Sequence, residues 1–196
     1  AELVEVDYEE LPCVVDSVAA ANSDASVLFD DFATNIAFEW ERGEQQKVDE
    51  IFSRAAHITH VSLSHNRIVV AAMELRGALA IFDAANHHYT LYTPTQGASM
   101  VHPRLAKALG VDASQVRVIT PDVGGAFGIK ALIYPEQFLC AYAARRVGRP
   151  VKWYGDRSDS FFTDYHGRDH VMEGELALDA DGRFLAIRSR VVSNMG

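Results

Sequence analysis

The chain has 196 residues, of which 48% are hydrophobic, and its 18 Lys and Arg against 27 Asp and Glu give a formal net charge of −9. A soluble core that buries about 70% of the surface the unfolded chain exposes is within reach at this size. The acidic balance, with no basic cluster larger than Arg145 and Arg146, argues against nucleic acid and anionic membrane as partners. Cys13 and Cys140 are too few for a disulfide framework or a cysteine metal site, so a reducing, cytoplasmic compartment is expected. No apolar run reaches the ~18 residues of a membrane span.

Residues 1–6 carry no basic leader and read like the middle of a strand, and the chain stops abruptly at Asn194-Met195-Gly196, so a piece of a longer polypeptide is expected. Leu3–Tyr8 reads as extended, and Asp16 opens a short Ala-rich helix that ends near Asn22-Ser23-Asp24, a polar stretch suited to a linker. Ile36, Phe38 and Trp40 alternate with Ala37, Glu39 and Glu41, the period of a half-buried strand ended by Gly43. Val48, Ile51, Phe52 and Ala55 then recur at helical spacing.

Val61 and Leu63 alternate with serines, and strands are predicted over Ile68–Ala72, Ala78–Phe82 and Tyr89–Thr93, the last two joined by a turn around Asp83-Ala-Ala-Asn86. A helix over Ser99–Ala108 ends at Gly110, and Val116–Ile119 reads as a short buried strand. Pro135 and Glu136 open a second helix, with Phe138, Leu139, Tyr142 and Ala143 as its buried stripe and Gly148 and Pro150 closing it. Val151–Tyr154 is a further strand, and Val171–Leu178 pairs with Phe184–Val192 through Asp179-Ala-Asp-Gly182. The class is α+β, a mixed, mostly antiparallel sheet with packed helices.

Between strand and helix lies Thr120-Pro-Asp-Val-Gly-Gly-Ala-Phe-Gly-Ile-Lys130. Gly124, Gly125 and Gly128 can take φ > 0 and let backbone N–H groups converge on an anion or an oxygen, with Lys130 adding positive charge. The same loop can equally be a bare glycine-rich crossover. Its spacing fits neither a P-loop nor a dinucleotide fingerprint. Thr95-Gln96-Gly97 places a neutral amide just before a helix, where it can hydrogen-bond a ligand oxygen or serve as a turn.

Other chemistries find less support. His57 and His60 fall at a helix-to-strand boundary, His87 and His88 in a hairpin turn, and His166 and His170 lack a continuous helix to aim them together, so no metal site is assigned. No G-x-S-x-G elbow marks a hydrolase. Residues 125–128 have the G-x-x-G form of single-strand RNA binders, but the acidic charge opposes that use.

Six blocks in order, Met73-Glu-Leu-Arg-Gly77, Thr95-Gln96-Gly97, Pro121 to Lys130, Tyr134-Pro-Glu136, Gly148 to Trp153 and His166-Gly-Arg-Asp-His170, closely resemble the molybdenum hydroxylases. These are the molybdopterin-binding large subunits of the xanthine dehydrogenase, aldehyde oxidase and aerobic carbon monoxide dehydrogenase type. The resemblance implies that residues 1–28 are an exit segment from a hammerhead-like domain and that 29–196 are the first part of the molybdopterin-binding region. It implies a molybdenum–molybdopterin cofactor, a hydrogen bond from Gln96 to an oxygen ligand of the metal, and a backbone cradle at Gly125, Ala126, Phe127 and Gly128, with the Phe127 ring orienting a planar substrate.

The implied reaction is hydroxylation of a carbon centre with water-derived oxygen, on an aldehyde, an N-heterocycle or a carbon monoxide-like substrate. No catalytic residue is assigned within this chain, because the family's general-base glutamate is expected further downstream. Iron–sulfur and flavin centres are expected on partner subunits or domains, a homodimer is possible, and the chain alone should be inactive. Ala126 stands where relatives often have a third glycine and so should take an ordinary φ; Ala131 replaces the acidic residue of purine oxidisers, which argues against xanthine. The alternative is a non-catalytic assembly module of the same fold.

Overall fold

The computed structural model describes Leu3 and residues 5–195. In chain order the elements are α1 (Ser17–Ala20), α2 (Gln45–Arg54), β1 (His57–His65), β2 (Gly77–Asp83), β3 (His88–Tyr92), α3 (Ala98–Leu109) and β4 (Val116–Ile119). They continue with α4 (Pro135–Val147), β5 (Val151–Tyr154), α5 (Arg157–Thr163), β6 (His170–Leu178) and β7 (Phe184–Ser193). The chain divides into two compact units, Ala1–Arg67 with Arg168–Gly196, and Ile68–Gly167.

The first unit is a three-stranded antiparallel sheet in the order β1-β6-β7. Its hairpin forms where the sequence puts Asp179-Ala-Asp-Gly182: Gly182 takes φ 80°, and Asp179 Oδ1 accepts from the N–H groups of Asp181 and Arg183, both at 2.9 Å. α2 buries Phe52, whose ring lies 4.2 Å from the Arg188 guanidinium carbon. α1 is a single turn capped by Asp16, whose carboxylate accepts from Ala19 N–H at 2.6 Å.

Two expectations fail in this unit. Residues 36–41 form no strand, and Phe38 and Trp40 are 67% and 75% exposed. Alternation becomes a strand only when a neighbour accepts the backbone ladder, and none of the described strands does so here. Residues 5–8 are likewise unpaired and exposed, while Val4, within the same expected extended stretch, and Ala1, Glu2 and Gly196 lie outside the described residues.

The second unit is a mixed four-stranded sheet, β4-β3-β2-β5, in which only β3 and β4 run parallel, bridged by α3. Ala78 and Ala80 of β2 and Tyr89 and Leu91 of β3 share a face, against which Val101 and Leu105 of α3 and Cys140, Ala141 and Ala144 of α4 close the core. Gly110 ends α3 at φ 67° and Gly148 ends α4 at φ 65°, the left-handed caps expected of them.

The buried stripe of α4 is Gln137, Cys140, Ala141 and Ala144 where Phe138, Leu139, Tyr142 and Ala143 are predicted; Phe138 does pack, partly buried, against the core, whereas Leu139 and Tyr142 are half exposed. Small residues at the contact let the helix lie close on the alanines of β2, so Leu139 and Tyr142 are turned outward. Gln137 is buried because its amide is used on both ends, accepting from Tyr134 N–H at 3.0 Å and donating to Thr93 Oγ1 at 2.9 Å. The predicted strand Ile68–Ala72 reduces to one bridge, Ile68 to Gly167. α5 was not anticipated, although Asp156 and Asp159 cap it reciprocally at 2.7 and 3.0 Å.

Candidate functional site

The glycine loop is fastened at both ends by side chains from elsewhere in its own unit. At its start Glu74 Oε2 accepts from Gly124 N–H at 2.8 Å, while Glu74 N–H donates to Gly124 O at 2.9 Å. A Cβ at Gly124 would lie 2.7 Å from Glu74 Cβ, so only glycine permits this approach. At its end Gln96 Oε1 accepts from Gly128 N–H at 2.7 Å. Gln96 N–H and Thr95 Oγ1–H both donate to Lys130 O, at 3.0 and 2.9 Å, which zips the peptide before α3 to the peptide after the loop.

Between these clasps the backbone turns sharply: Gly125 has φ 98°, Phe127 φ 51° and Gly128 φ 105°, whereas Ala126 stays outside the left-handed region, as expected of an L-residue. Among the described residues no acceptor meets the N–H groups of Gly125, Ala126 or Phe127. Successive N–H groups on a backbone of alternating hand form a concave anion- or oxygen-binding turn. The Phe127 ring is 79% exposed, and holding a non-glycine residue at positive φ costs about 1–2 kcal/mol. Gln96 is exposed too, and its Nε2 has no acceptor among the described residues.

Structure and sequence part company at two positions of the loop. Gly124 is not left-handed; it is required by close approach. Lys130 does not offer its charge to a ligand, because it is buried, with Nζ 2.8 Å from Glu74 Oε2 and 2.9 Å from Glu74 O. Burial alone would raise the Glu74 carboxyl, but hydrogen bonds from Lys130 and Gly124, together with the lysine charge, outweigh it and hold the carboxyl below the ordinary glutamate range. In the sequence Glu74 stands within the block Met73-Glu-Leu-Arg-Gly77, where nothing local marks it as a loop fastener. Arg157 Nη2 supports the same segment by donating to Ala72 O at 2.7 Å.

A second polar centre surrounds Arg76 in the same unit. Its guanidinium donates to Asp164 at 2.6 Å, to Glu136 and to Thr163, and lies 3.8 Å from the centroid of the Tyr134 ring. Burial pushes the Tyr134 hydroxyl up to about 12 and raises the Glu136 carboxyl despite the arginine beside it. The guanidinium donors of Arg76 are thus taken up by Glu136 of α4, Thr163 of α5 and Asp164 just after it, which ties these segments together within the unit.

The histidine sets occupy modest positions. His57 opens β1 just after the end of α2, at the expected helix-to-strand boundary, and His60 lies further along the same strand; no group of three or more potential metal ligands occurs among the described residues.

The exposed turn thus presents three N–H groups without acceptors beside a neutral carboxamide, a donor set suited to oxygen and nitrogen acceptors. Residues 28–196 match the family model described as the molybdopterin cofactor-binding domain, and the chain belongs to that family. It is 36% identical over 208 residues to the carbon monoxide dehydrogenase large chain of Hydrogenophaga pseudoflava, covering 100% of this chain and 26% of that relative. Among solved structures it resembles quinoline 2-oxidoreductase from Pseudomonas putida 86, with 35% identity, TM-score 0.87, and coverage of 97% of this chain and 24% of the other. Reconstituted CO dehydrogenase from Oligotropha carboxidovorans gives 31% identity and TM-score 0.90, with coverage of 97% and 25%. The chain thus spans about a quarter of the length of the relatives it matches. No helix among the described residues is long and apolar enough to cross a membrane.

Proposed function

We propose that this chain is part of the large subunit of a molybdenum-dependent hydroxylase and that its loop 124–128, with Gln96, cradles the molybdopterin cofactor. The observation that carries this reading is the run of three N–H groups without acceptors, Gly125 to Phe127, held between the Glu74 and Gln96 clasps. The donor set fits the group: a pterin and the oxygens about a metal accept hydrogen bonds, and uncharged N–H groups match them without adding charge.

When bound, the molybdenum centre supplies oxygen transfer to a carbon atom and takes up the electrons released. The chain's own residues bind and orient. Gln96 spends its Oε1 on Gly128 N–H, which fixes the amide so that Nε2 is left to donate to a cofactor oxygen. The N–H groups of Gly125, Ala126 and Phe127 receive further oxygen or nitrogen acceptors, and the exposed Phe127 ring is a flat surface for a planar substrate. The general base and the iron–sulfur and flavin centres belong to other parts of the assembly, and residues 1–28 serve as the exit from a preceding domain.

For the substrate, an N-heterocycle or an aldehyde is favoured over xanthine, since Ala131 follows the loop lysine and a quinoline-oxidising enzyme lies at 35% identity. The test is Gln96→Ala in the full-length protein: turnover is expected to fall by at least about tenfold, as when one positioned donor is removed, with unchanged folding. Unchanged turnover removes Gln96 from the site.

A second reading, an assembly module without catalysis, draws on exposed Phe29, Phe32, Phe38 and Trp40. Mass measurement in solution checks it: a concentration-independent monomer of the chain opposes it.

A further inference from the structure

We infer that Glu74 is a positioning residue for the cofactor loop: paired with Lys130, it fixes Gly124 and thereby the direction of the three N–H groups that follow. The inference rests on the cradle reading above. One carboxylate oxygen, Oε2, receives both Gly124 N–H and Lys130 Nζ, each at 2.8 Å, so a single atom ties the loop's first glycine to the lysine that follows its last. The backbone of the same residue is committed as well, through N–H to Gly124 O and through its carbonyl to Lys130 Nζ. Glu74 therefore touches the loop at both ends, with its side chain only partly exposed.

The arrangement separates two roles that ordinary packing would merge. Lys130, with 1% side-chain exposure, needs a counter-charge, and a carboxylate beside it accepts the Gly124 hydrogen bond more strongly than a neutral group can. Arg157 holds the segment by donating to Ala72 O, and Ala72 Cβ lies only 3.5 Å from where a Cβ on Gly125 would stand, so residues 72–74 run close against the turn. A shift of Glu74 would move Gly124 with it, and so turn the Gly125 and Ala126 amides.

The test uses the full-length protein, made in one host able and one unable to synthesise molybdopterin, and reads hydrogen exchange of the peptide spanning residues 122–130 together with molybdenum per protomer. Glu74→Met with Lys130→Met removes the acceptor without leaving a buried charge alone, so folding is retained. Glu74→Gln with Lys130→Met restores an acceptor for Gly124. Loading should slow exchange of the wild-type loop; the Met/Met variant should exchange about tenfold faster when loaded and hold less molybdenum, and the Gln/Met variant should recover much of both, as expected for one hydrogen bond lost and regained. Wild-type behaviour in the Met/Met variant overturns the role of Glu74. Equal loss in both variants also overturns it, because the acceptor would then be irrelevant. A wild-type loop that cofactor loading does not protect overturns the cradle reading itself, a distinguishable result.

Discussion

Gln96 and Glu74 show how two side chains with similar reach take different tasks. The neutral amide can accept on one atom and donate on the other, so it fastens Gly128 and still faces outward. The carboxylate can only accept, and it is spent inside the unit on Gly124 and Lys130. Because the Glu74 carboxyl is held low in the folded state, its contribution is full above the ordinary glutamate pKa of about 4.3 and is lost as pH falls through the lower folded value. The advantage of wild type over the Glu74→Met, Lys130→Met variant in molybdenum retention should therefore be complete at neutral pH and vanish only in strong acid. A difference that does not change with pH would contradict this. Phe127 bears strain without packing, so Phe127→Gly is expected to leave the melting temperature within a few degrees, a shift of about 0.5–1 kcal/mol either way, while raising KM for a planar substrate.

At the scale of elements, α3 and α4 hold the second unit together through a few well-buried side chains. Leu105 is fully buried and Leu139 is 55% exposed. Leu105→Ala should cost about 2–5 kcal/mol in denaturant unfolding and Leu139→Ala less than about 1 kcal/mol; equal losses would mean that α4 is turned as its sequence pattern suggests. The Arg76 cluster is the other anchor. Arg76→Ala strands Asp164 and Glu136 in a buried setting and is expected to cost about 3–5 kcal/mol, read from the same unfolding curves. Periodicity revealed both helices and where they end, since Gly110 and Gly148 are unambiguous caps. It misjudged the facing side of α4, because alternatives a residue apart differ only in whether alanines or bulky residues meet β2. It also overlooked α5, whose seven residues carry no apolar stripe and whose signal was the Asp156 and Asp159 cap.

Across the whole molecule, the α+β class, the antiparallel hairpins and the glycine turn were legible from local chemistry. The pairing of Glu74 with Gly124, 50 residues apart, was not, because nothing local distinguishes a lysine that waits for an anion from one already neutralised. The unpaired alternation of Ile36, Phe38 and Trp40 shows the same limit from the other side: a strand pattern states a capacity, and its partner decides the outcome. The central claim is that Gln96 and the amides of residues 125–127 face the molybdenum cofactor. Anomalous scattering from crystals of the loaded full-length protein, recorded at the molybdenum absorption edge, locates the metal directly. The peak should stand beside Gln96 and the Gly125–Gly128 turn; a peak remote from both, or no molybdenum signal in an active preparation, would contradict the account.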